Sequence, residues 1–245
     1  MSGWAAAGWS RQAGASRWTC PGSAPPCAPP PPGWPGRPAM AWGARLYEPV
    51  FGRMLGGARR TAWELAAPRP GMVVLDVGCG TGAFLAAFAA AGCRVAGLDA
   101  SAPMLAEARR RLGSAALLAQ GDATALPFAT GSAAVVTAMM LFHSLSPEQG
   151  RAAFGEMARV AGEAGRVVVV DHHSAGPPGR GRHAARAAAR LVEGVAGHGP
   201  GVRVLLAAGG LEALAASASL EVEESRATAG GALEVLRLRW RRTAA

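Results

Sequence analysis

Residues 73–82 read VVLDVGCGTG, and residues 83–88 continue as AFLAAF. A short apolar run rich in valine is typical of a buried parallel strand. The closely spaced glycines that follow predict a tight turn in which the backbone comes close to a ligand. The apolar run after Gly82 predicts a helix that ends before Gly92. A strand, a glycine turn and a helix in this order form the first half of a nucleotide-binding unit.

Asp76 stands two residues before the first of these glycines and bears on the kind of nucleotide. A dinucleotide site places a pyrophosphate at the helix N-terminus, where bare N–H groups and the helix dipole favour negative charge. A carboxylate at the strand end would repel that phosphate. It suits S-adenosylmethionine (AdoMet), which brings an ammonium and a sulfonium group to the turn. The spacing Gly-x-Gly-x-x-Ala at 78–83 also meets the relaxed dinucleotide fingerprint, so the glycines alone leave both ligands open.

The composition is that of a globular chain with a sizeable core. Half of the 245 residues are apolar, 17% are charged, and no apolar run approaches transmembrane length. The net charge is +9, and all 25 basic residues are arginines. They are scattered with few aromatic residues among them, so we expect no nucleic-acid surface and at most peripheral membrane contact. The four cysteines lack metal-ligand spacing, and we expect no disulfide framework in a chain with this much core, so the expected location is a reducing cytoplasm.

The chain divides into an N-terminal tail and one domain. Residues 1–39 are rich in proline and glycine, and we expect either a disordered tail without function or a wrongly assigned start. Residues 40–245 form the domain. Within it, 40–70 is a cap helix, 71–174 is the cofactor-binding core, and 175–245 holds the acceptor-side helices and the closing strands.

Apolar runs bounded by turn residues predict seven strands. They are 73–77, 94–98, 116–120, 133–140, 166–170, 220–226 and 233–240. Helical patterns separate most of them, and the last two strands follow each other as an antiparallel pair. The fold class that follows is α/β: a doubly wound, mostly parallel seven-stranded sheet with an antiparallel C-terminal edge strand.

The chain has four aspartates, and each stands at or just past the end of a predicted strand: Asp76, Asp99, Asp122 and Asp171. In an open parallel sheet the ligand binds beyond these strand ends. One aspartate there is ordinary turn chemistry, but four of four indicate a ligand site. Asp99 stands 19 residues beyond Gly80, where a nucleotide fold places an acid that accepts both ribose hydroxyls.

Three motifs carry a resemblance to a known family. They are VLDVGCGTG at 74–82, GLDAS at 97–101 followed by Met104-Leu105, and GDA at 121–123 followed by LPF at 126–128. Over about residues 41–240, the chain resembles the class I AdoMet-dependent methyltransferases, in particular the small-molecule branch that includes quinone-ring methyltransferases. The resemblance implies the Rossmann-like methyltransferase fold and AdoMet as the cofactor.

The resemblance also implies roles for individual residues around AdoMet. Asp76 and the backbone of the glycine turn would hold the methionine end, and Asp99 would accept the ribose hydroxyls. Ala100 and Met104 would line the adenine ring, whose amino group would donate to Asp122. The implied set is Asp76, Gly78, Cys79, Gly80, Gly82, Asp99, Ala100, Met104, Asp122, Ala123 and Met139.

Methyl transfer to an acceptor needs little beyond alignment, because holding the reactants collinear can supply ~7–11 kcal/mol of the barrier. A general base matters only for a protonated hydroxyl or amine. His143, after the fourth strand, is the candidate base; the alternative is a histidine that only fills hydrogen bonds. The candidate acceptor-pocket residues are Tyr47, Phe142, His172 and His173. We expect no metal, because adjacent histidines in an extended chain point to opposite faces.

The sequence therefore favours an enzyme that transfers the methyl group of AdoMet to a small or lipophilic acceptor. Two alternatives stay open: an AdoMet-binding protein without turnover and, with less support, an NAD(P)-dependent oxidoreductase. The chain contains no lysine and so has no Tyr-x-x-x-Lys pair, which counts against the oxidoreductase hypothesis. Neither the acceptor nor the methylated atom (oxygen, nitrogen or carbon) is indicated by the sequence, and the oligomeric state is not indicated either.

Overall fold

The structure, a computed structural model, describes residues 10–11, 18–19, 44–173 and 199–241, with side chains over 55–173 and 200–241. Near the N-terminus, Ser10–Arg11 (β1) and Trp18–Thr19 (β2) form two short strands that pair antiparallel with each other. The rest of the tail expected over 1–39, and the acceptor-side residues 174–198, lie outside the described residues.

A seven-stranded sheet organises the domain. Its strands are Val73–Val77 (β3), Arg94–Asp99 (β4), Ala116–Gln120 (β5), Val135–Met139 (β6), Arg166–His172 (β7), Leu220–Thr228 (β8) and Leu233–Trp240 (β9). Their order is β5-β4-β3-β6-β7-β9-β8, and only the two pairings of β9 are antiparallel. The doubly wound, mostly parallel fold is confirmed, and the predicted strands match the observed ones to within two residues at each end.

The antiparallel strand β9 lies inside the sheet, one place from its edge. It pairs with β7 on one side and with β8 on the other, so β8 is the edge strand. The sequence pattern predicts half-exposed closing strands, and β8 has this character. Strand β9 is instead buried over most of 233–238, because it has a neighbour on both sides.

Strand β7 extends two residues beyond the predicted strand 166–170. Its last two residues, Asp171 and His172, pair with Glu234 and Leu233 of β9. The apolar run stops before them, so the sequence gives no signal for a pairing that depends on a distant strand. Asp171 and His172 therefore belong to a buried strand and not to the loop that follows it.

The described residues form six α-helices: Ala44–Ala66 (α1), Ala83–Ala90 (α2), Ala102–Leu112 (α3), Pro147–Ala161 (α4), Gly199–Ala207 (α5) and Gly210–Ala216 (α6). Side chains cap two of them: Ser101 accepts from the Met104 N–H before α3, and Ser146 forms a capping box with Gln149 before α4. The sequence predicts one helix over 209–219, which corresponds to α6, and does not predict α5. None of the described helices is both long and apolar enough to cross a membrane.

Helices cover both faces of the sheet, and alternate residues of each strand point into two separate cores. Leu75 of β3 lies in one core with Phe154 of α4. Val74 lies in the other core with Leu65 of α1 and Phe88 of α2. Because both faces are covered, the carboxyl ends of the parallel strands are left as the place for a ligand.

Gly97 of β4 shows how closely α2 packs on the sheet. A Cβ at this position would lie 2.7 Å from Leu85 Cδ1, 2.8 Å from Cys79 Sγ and 2.9 Å from Leu118 Cδ2. Gly97→Ala should therefore lower the free energy of unfolding by about 1–3 kcal/mol, because three side chains must shift together. Urea unfolding of wild type and variant measures the difference.

Gly155→Ala is the matched control. Gly155 lies within α4, and a Cβ there would meet nothing within 4 Å. This substitution should raise the free energy of unfolding by about 0.5–1 kcal/mol, because alanine loses less backbone entropy in a helix. A Gly97→Ala protein as stable as wild type would show that the packing between α2, β4 and β5 is looser than described.

Candidate cofactor and acceptor site

The turn between β3 and α2 is built by glycines with positive φ. Gly78, Gly80 and Gly82 have φ values of 72°, 53° and 71°, a region that other residues rarely adopt. The N–H groups of Gly78 and Cys79 both donate to the carbonyl oxygen of Leu98, at 2.7 and 3.0 Å. The turn is therefore fixed to the end of β4 before any ligand arrives.

Asp99, the last residue of β4, holds the turn through its side chain. Its Oδ2 accepts from the Gly80 N–H at 2.8 Å, and its Oδ1 accepts from the Ser101 N–H at 2.8 Å. Burial raises the pKa of the Asp99 carboxyl above its ordinary value, against the lowering effect of these two hydrogen bonds. Each carboxylate oxygen has a second lone pair, so both can still accept from a ribose hydroxyl.

Asp76, near the end of β3, is almost fully buried. Its Oδ1 accepts from the Thr137 hydroxyl of β6 at 2.6 Å. Burial raises the pKa of Asp76 to about 7; the Thr137 hydrogen bond and the charge of Arg59 lower it, and the charge of Asp99 raises it further. A cation beside Asp76 would stabilise its ionised form. The surrounding protein supplies such a charge only weakly, through Arg59.

The residues assigned to the adenine side follow the ends of β4 and β5. Asp122 accepts from the Thr124 N–H at 2.8 Å and so forms a side-chain turn, with the buried Ala123 between them. Ala100 follows Asp99, and Met104 is buried in the first turn of α3. The structure thus brings these four predicted residues to the carboxyl edge of the sheet, the same edge as the glycine turn.

The segment after β6 folds back over the glycine turn. β6 ends at Met139, and Met140 has a φ of 58°, unusual for a residue with a side chain. The Met140 N–H donates to the Val170 carbonyl oxygen at 2.8 Å. Next, Leu141 covers Gly78, where a Cβ would lie 3.1 Å from Leu141 Cδ1. The residues after Leu141 therefore begin beside the turn that would hold the cofactor.

His143 lies in the short 3₁₀ turn Phe142–Ser144 and is paired with Asp171. Its Nδ1 is 3.0 Å from Asp171 Oδ1, and its backbone N–H donates to Asp171 Oδ2 at 3.2 Å. The backbone N–H of His172 also donates to Asp171 Oδ1, at 2.9 Å. Asp171 thus fixes both the backbone and the ring of His143.

The protonation state of this pair follows from its hydrogen bonds. Burial acts to raise the pKa of the Asp171 carboxyl, but the charge and hydrogen bond of His143, aided by His172, outweigh it and hold that pKa below its ordinary value. An ionised carboxylate only accepts hydrogen bonds, so Nδ1 of His143 carries the proton in the neutral ring. The ring's basic lone pair is then on Nε2.

Two further elements hold His143 in place. The ring of His172 meets the ring of His143 edge-on, with centroids 5.4 Å apart. From the other side, α5 approaches so closely that a Cβ on Gly201 would lie 1.9 Å from the His143 carbonyl oxygen. Only glycine fits at position 201 in this packing.

The other predicted acceptor-pocket residues differ in their surroundings. Phe142 is buried in the core, where its ring stacks on Phe154 with centroids 4.1 Å apart, and this contact accounts for its burial without an acceptor. His173 follows β7, and its Nε2 lies 3.8 Å from Glu234 Oε2. Tyr47 lies in α1, but its side chain is outside the described ones.

One group of side chains in the described part of the chain has the composition of a metal site. Ligand atoms of His143, Asp171 and His172 all lie within 4.8 Å of one another. Both oxygens of Asp171 already accept N–H groups at 2.9–3.2 Å, so the carboxylate is engaged by the protein itself. The absence of a metal stays a prediction.

Sequence reasoning missed Thr137 and Glu234. Thr137 reads as an ordinary strand residue, and only the parallel pairing of β3 with β6 places it beside Asp76. Glu234 alternates with Leu233 and Val235 and so resembles a residue on an exposed face. It is only 2% exposed, since β9 lies inside the sheet.

Comparison with known proteins supports the arrangement. The family model described as a methyltransferase domain matches residues 74–165. The demethylmenaquinone methyltransferase of Beutenbergia cavernae is 42% identical over 113 residues, which are 46% of this chain and 46% of that protein. The nocamycin O-methyltransferase of Saccharothrix syringae is 39% identical over 109 residues, 41% of this chain and 35% of that protein. The chain spans about half the length of the curated relatives it matches.

A solved structure shares the fold at lower identity. The O-methyltransferase NcsB1 from neocarzinostatin biosynthesis, in complex with S-adenosylmethionine and 2-hydroxy-5-methyl naphthoic acid, is 21% identical with a TM-score of 0.58. The match covers 82% of this chain and 57% of that one. The match to a methyltransferase domain from β3 to the turn before β7, the sheet order and these relatives agree, and the chain is similar to the class I AdoMet-dependent methyltransferases.

Proposed function

We propose that the chain transfers the methyl group of AdoMet to a small-molecule acceptor by in-line displacement. The observation that carries the proposal is the pair of carboxyl groups at the glycine turn, of which Asp76 is buried and Asp99 is half-buried. Asp99 fixes the turn by accepting a hydrogen bond from the Gly80 N–H. Asp76 accepts a short hydrogen bond from the Thr137 hydroxyl. Negative charge beside backbone N–H groups fits a ligand with an ammonium, a sulfonium and a single carboxylate.

In this proposal each part of AdoMet meets one strand end. The methionine part lies on Asp76 and the turn with Gly78, Cys79, Gly80 and Gly82. The ribose hydroxyls donate to Asp99. The adenine would lie between the ends of β4 and β5, and the methyl-bearing sulfur of the methionine part would face the end of β6; the residues there are Ala100, Met104, Asp122, Ala123 and Met139.

Binding of AdoMet should release a proton from Asp76. The pKa of this carboxyl is about 7 in the free protein, and an ammonium beside it would lower that pKa. Titration calorimetry near neutral pH, in buffers of different ionisation enthalpy, should show the release. Asp76→Asn should abolish it and weaken binding by about 10–100-fold, since a hydrogen bond to a charged group is lost. Binding of NAD in place of AdoMet, or unchanged AdoMet affinity in the variant, would contradict the assignment.

The raised pKa of Asp76 should also make the stability of the free protein depend on pH, in a direction that follows from the shift. Folding raises the pKa of Asp76 from 3.8 to about 7, so the folded chain binds more protons than the unfolded chain between these values. The free energy of unfolding should therefore fall as pH rises through that window. Above it, Asp76→Asn should be more stable than wild type by up to about 4 kcal/mol, the equivalent of three pKa units. Denaturant unfolding at several pH values measures this, and parallel pH profiles of the two proteins would count against the burial of an ionisable Asp76.

His143 is the proposed base for an acceptor hydroxyl. When bound, AdoMet supplies a methyl group on a sulfonium, which is a good leaving group. Nε2 of His143 takes the hydroxyl proton as the acceptor oxygen forms its bond to the methyl carbon and the carbon–sulfur electron pair goes to sulfur. Asp171 stays ionised and stabilises the imidazolium through Nδ1. Asp171 is thus a positioning residue in this proposal.

Variants of the pair should separate chemistry from cofactor binding. His143→Gln should lower kcat for a hydroxyl acceptor by about 10²–10⁴-fold, and Asp171→Asn should lower it too, because the ring loses the partner that fixes its tautomer. S-adenosylhomocysteine should bind both variants as tightly as wild type, since neither residue lies at the glycine turn. Transfer of labelled methyl and calorimetry give the two readouts.

Ser144→Ala is the control, because Ser144 is exposed and directly follows His143. It should leave kcat and affinity unchanged. A full kcat in His143→Gln with a hydroxyl acceptor would contradict the base assignment without affecting the cofactor assignment. Binding of AdoMet without transfer to any acceptor would identify the chain as a silent AdoMet-binding protein.

We further propose an apolar, ring-containing acceptor. The relatives are named for demethylmenaquinone and nocamycin, and NcsB1 was solved with a hydroxy-naphthoic acid. In this chain, the half-buried side chains of Met139, Met140 and Leu141 provide an apolar approach to His143. Incubating an extract with labelled AdoMet and identifying the product by mass spectrometry names the acceptor. The reducing cytoplasm remains the proposed location, consistent with Cys79 and Cys93 as free thiols.

A further inference from the structure

Glu234 is a buried acid that neither the cofactor nor the His143–Asp171 pair uses. It lies on β9, where the antiparallel register places it directly opposite Asp171 of β7. Residues opposite each other in such a pair point to the same face of the sheet. Glu234 therefore lies one strand beyond the carboxylate that fixes His143, on the same side.

The polar contacts of Glu234 are incomplete. The side chain is only 2% exposed, and within the described part of the chain its Oε1 has no hydrogen-bond partner. Its Oε2 lies 3.8 Å from His173 Nε2, and the Leu211 N–H of α6 interacts with the carboxyl group. A buried acceptor atom without a partner is uncommon in native proteins and calls for a specific reason.

The electrostatic surroundings make the missing partner more costly. Burial raises the pKa of the Glu234 carboxyl to about 7, and the charges of Glu212 and Asp171 raise it further, against the Leu211 N–H. Two acids thus lie near Glu234 and disfavour its ionised form. A hydrogen-bond donor placed at Oε1 would relieve both problems, because it satisfies the oxygen and favours negative charge there.

We propose that Glu234 binds a hydrogen-bond-donating group of the methyl acceptor, a hydroxyl or an ammonium at a distance from the methylated atom. The inference rests on the proposed function, since it assigns Glu234 to the acceptor of that same reaction. A series of contacts supports this placement. Leu141 covers the glycine turn at Gly78, and His143 stands two residues further along the chain. His143 is paired with Asp171, which lies directly opposite Glu234 on the neighbouring strand. An acceptor whose reacting oxygen meets His143 would extend toward β9.

The two donor groups make different demands on the carboxyl. A hydroxyl can also donate to the amide oxygen of glutamine, so Glu234→Gln would keep most of its binding. An ammonium gains from the full negative charge, so Glu234→Gln would lose it. Glu234→Leu removes the acceptor in both cases. The pair of variants therefore identifies the chemical class of the bound group.

The test measures methyl transfer with 1,4-dihydroxy-2-naphthoic acid, with its analogue lacking the second hydroxyl, and with an analogue carrying an aminomethyl group in its place. For the acceptor with the recognised group, Glu234→Leu should raise KM by about tenfold or more with kcat within about twofold. The analogue without a donor should show no such change. Where turnover is slow, the dissociation constant of each compound is measured on protein saturated with S-adenosylhomocysteine.

Glu163→Gln is the matched control, because Glu163 is an exposed glutamate in the turn after α4. It should leave KM for all three compounds unchanged. Equal KM and dissociation constants in wild type, Glu234→Leu and Glu234→Gln would overturn the proposal, as would failure of all three compounds to bind wild type. In each of those results, transfer of labelled methyl from AdoMet by wild type into an extract shows that the proposed function stands apart from the Glu234 assignment.

Discussion

The proposed cofactor site depends on the two hydrogen bonds of Asp99. One carboxylate joins the end of β4 to the Gly80 N–H of the glycine turn and to the Ser101 N–H at the start of α3. The glycines supply the φ values that the turn needs, but they contribute no side chains that could fix it. Burial opposes ionisation of Asp99, while these N–H groups favour it. The ordered turn and the charged acid therefore stabilise each other, and neither is independent of the other.

The sheet could be predicted where its strands are local patterns. Apolar runs mark β3 to β7, and an aspartate near the end of a run places the carboxyl edge. The position of β9 could not be predicted, because insertion between β7 and β8 is decided by pairing between strands far apart in sequence. That insertion extends β7 through Asp171 and buries Glu234. The sequence does not predict helix α5 because it begins Gly-Pro-Gly and is followed by Gly209 and Gly210, residues that usually indicate a loop.

In the site, residue types could be predicted but not their partners. Asp76 and Asp99 follow from motif and spacing, and His143 follows from its position after β6. Thr137 lies 61 residues from Asp76, and Asp171 lies 28 residues from His143, so no local pattern joins these pairs. Gly201 lets α5 approach the His143 carbonyl, but in the sequence nothing distinguishes it from the many other glycines of this chain. The geometry that orients His143, the proposed base, is therefore a property of the fold.

Three buried acids at one sheet edge differ in how well the protein satisfies them. Asp171 accepts three N–H groups, so its pKa is held low in spite of burial. Asp76 and Glu234 have fewer partners, and burial raises the pKa of each to about 7. Leaving these two acids under-satisfied lowers folding stability, and a ligand that supplies the missing donors restores it. The well-satisfied acid lies between the other two and, in the proposed reaction, acts through His143. The under-satisfied acids lie on either side, where a cationic donor and its acceptor would bind, so the distribution of hydrogen-bond partners follows the order of the reacting groups.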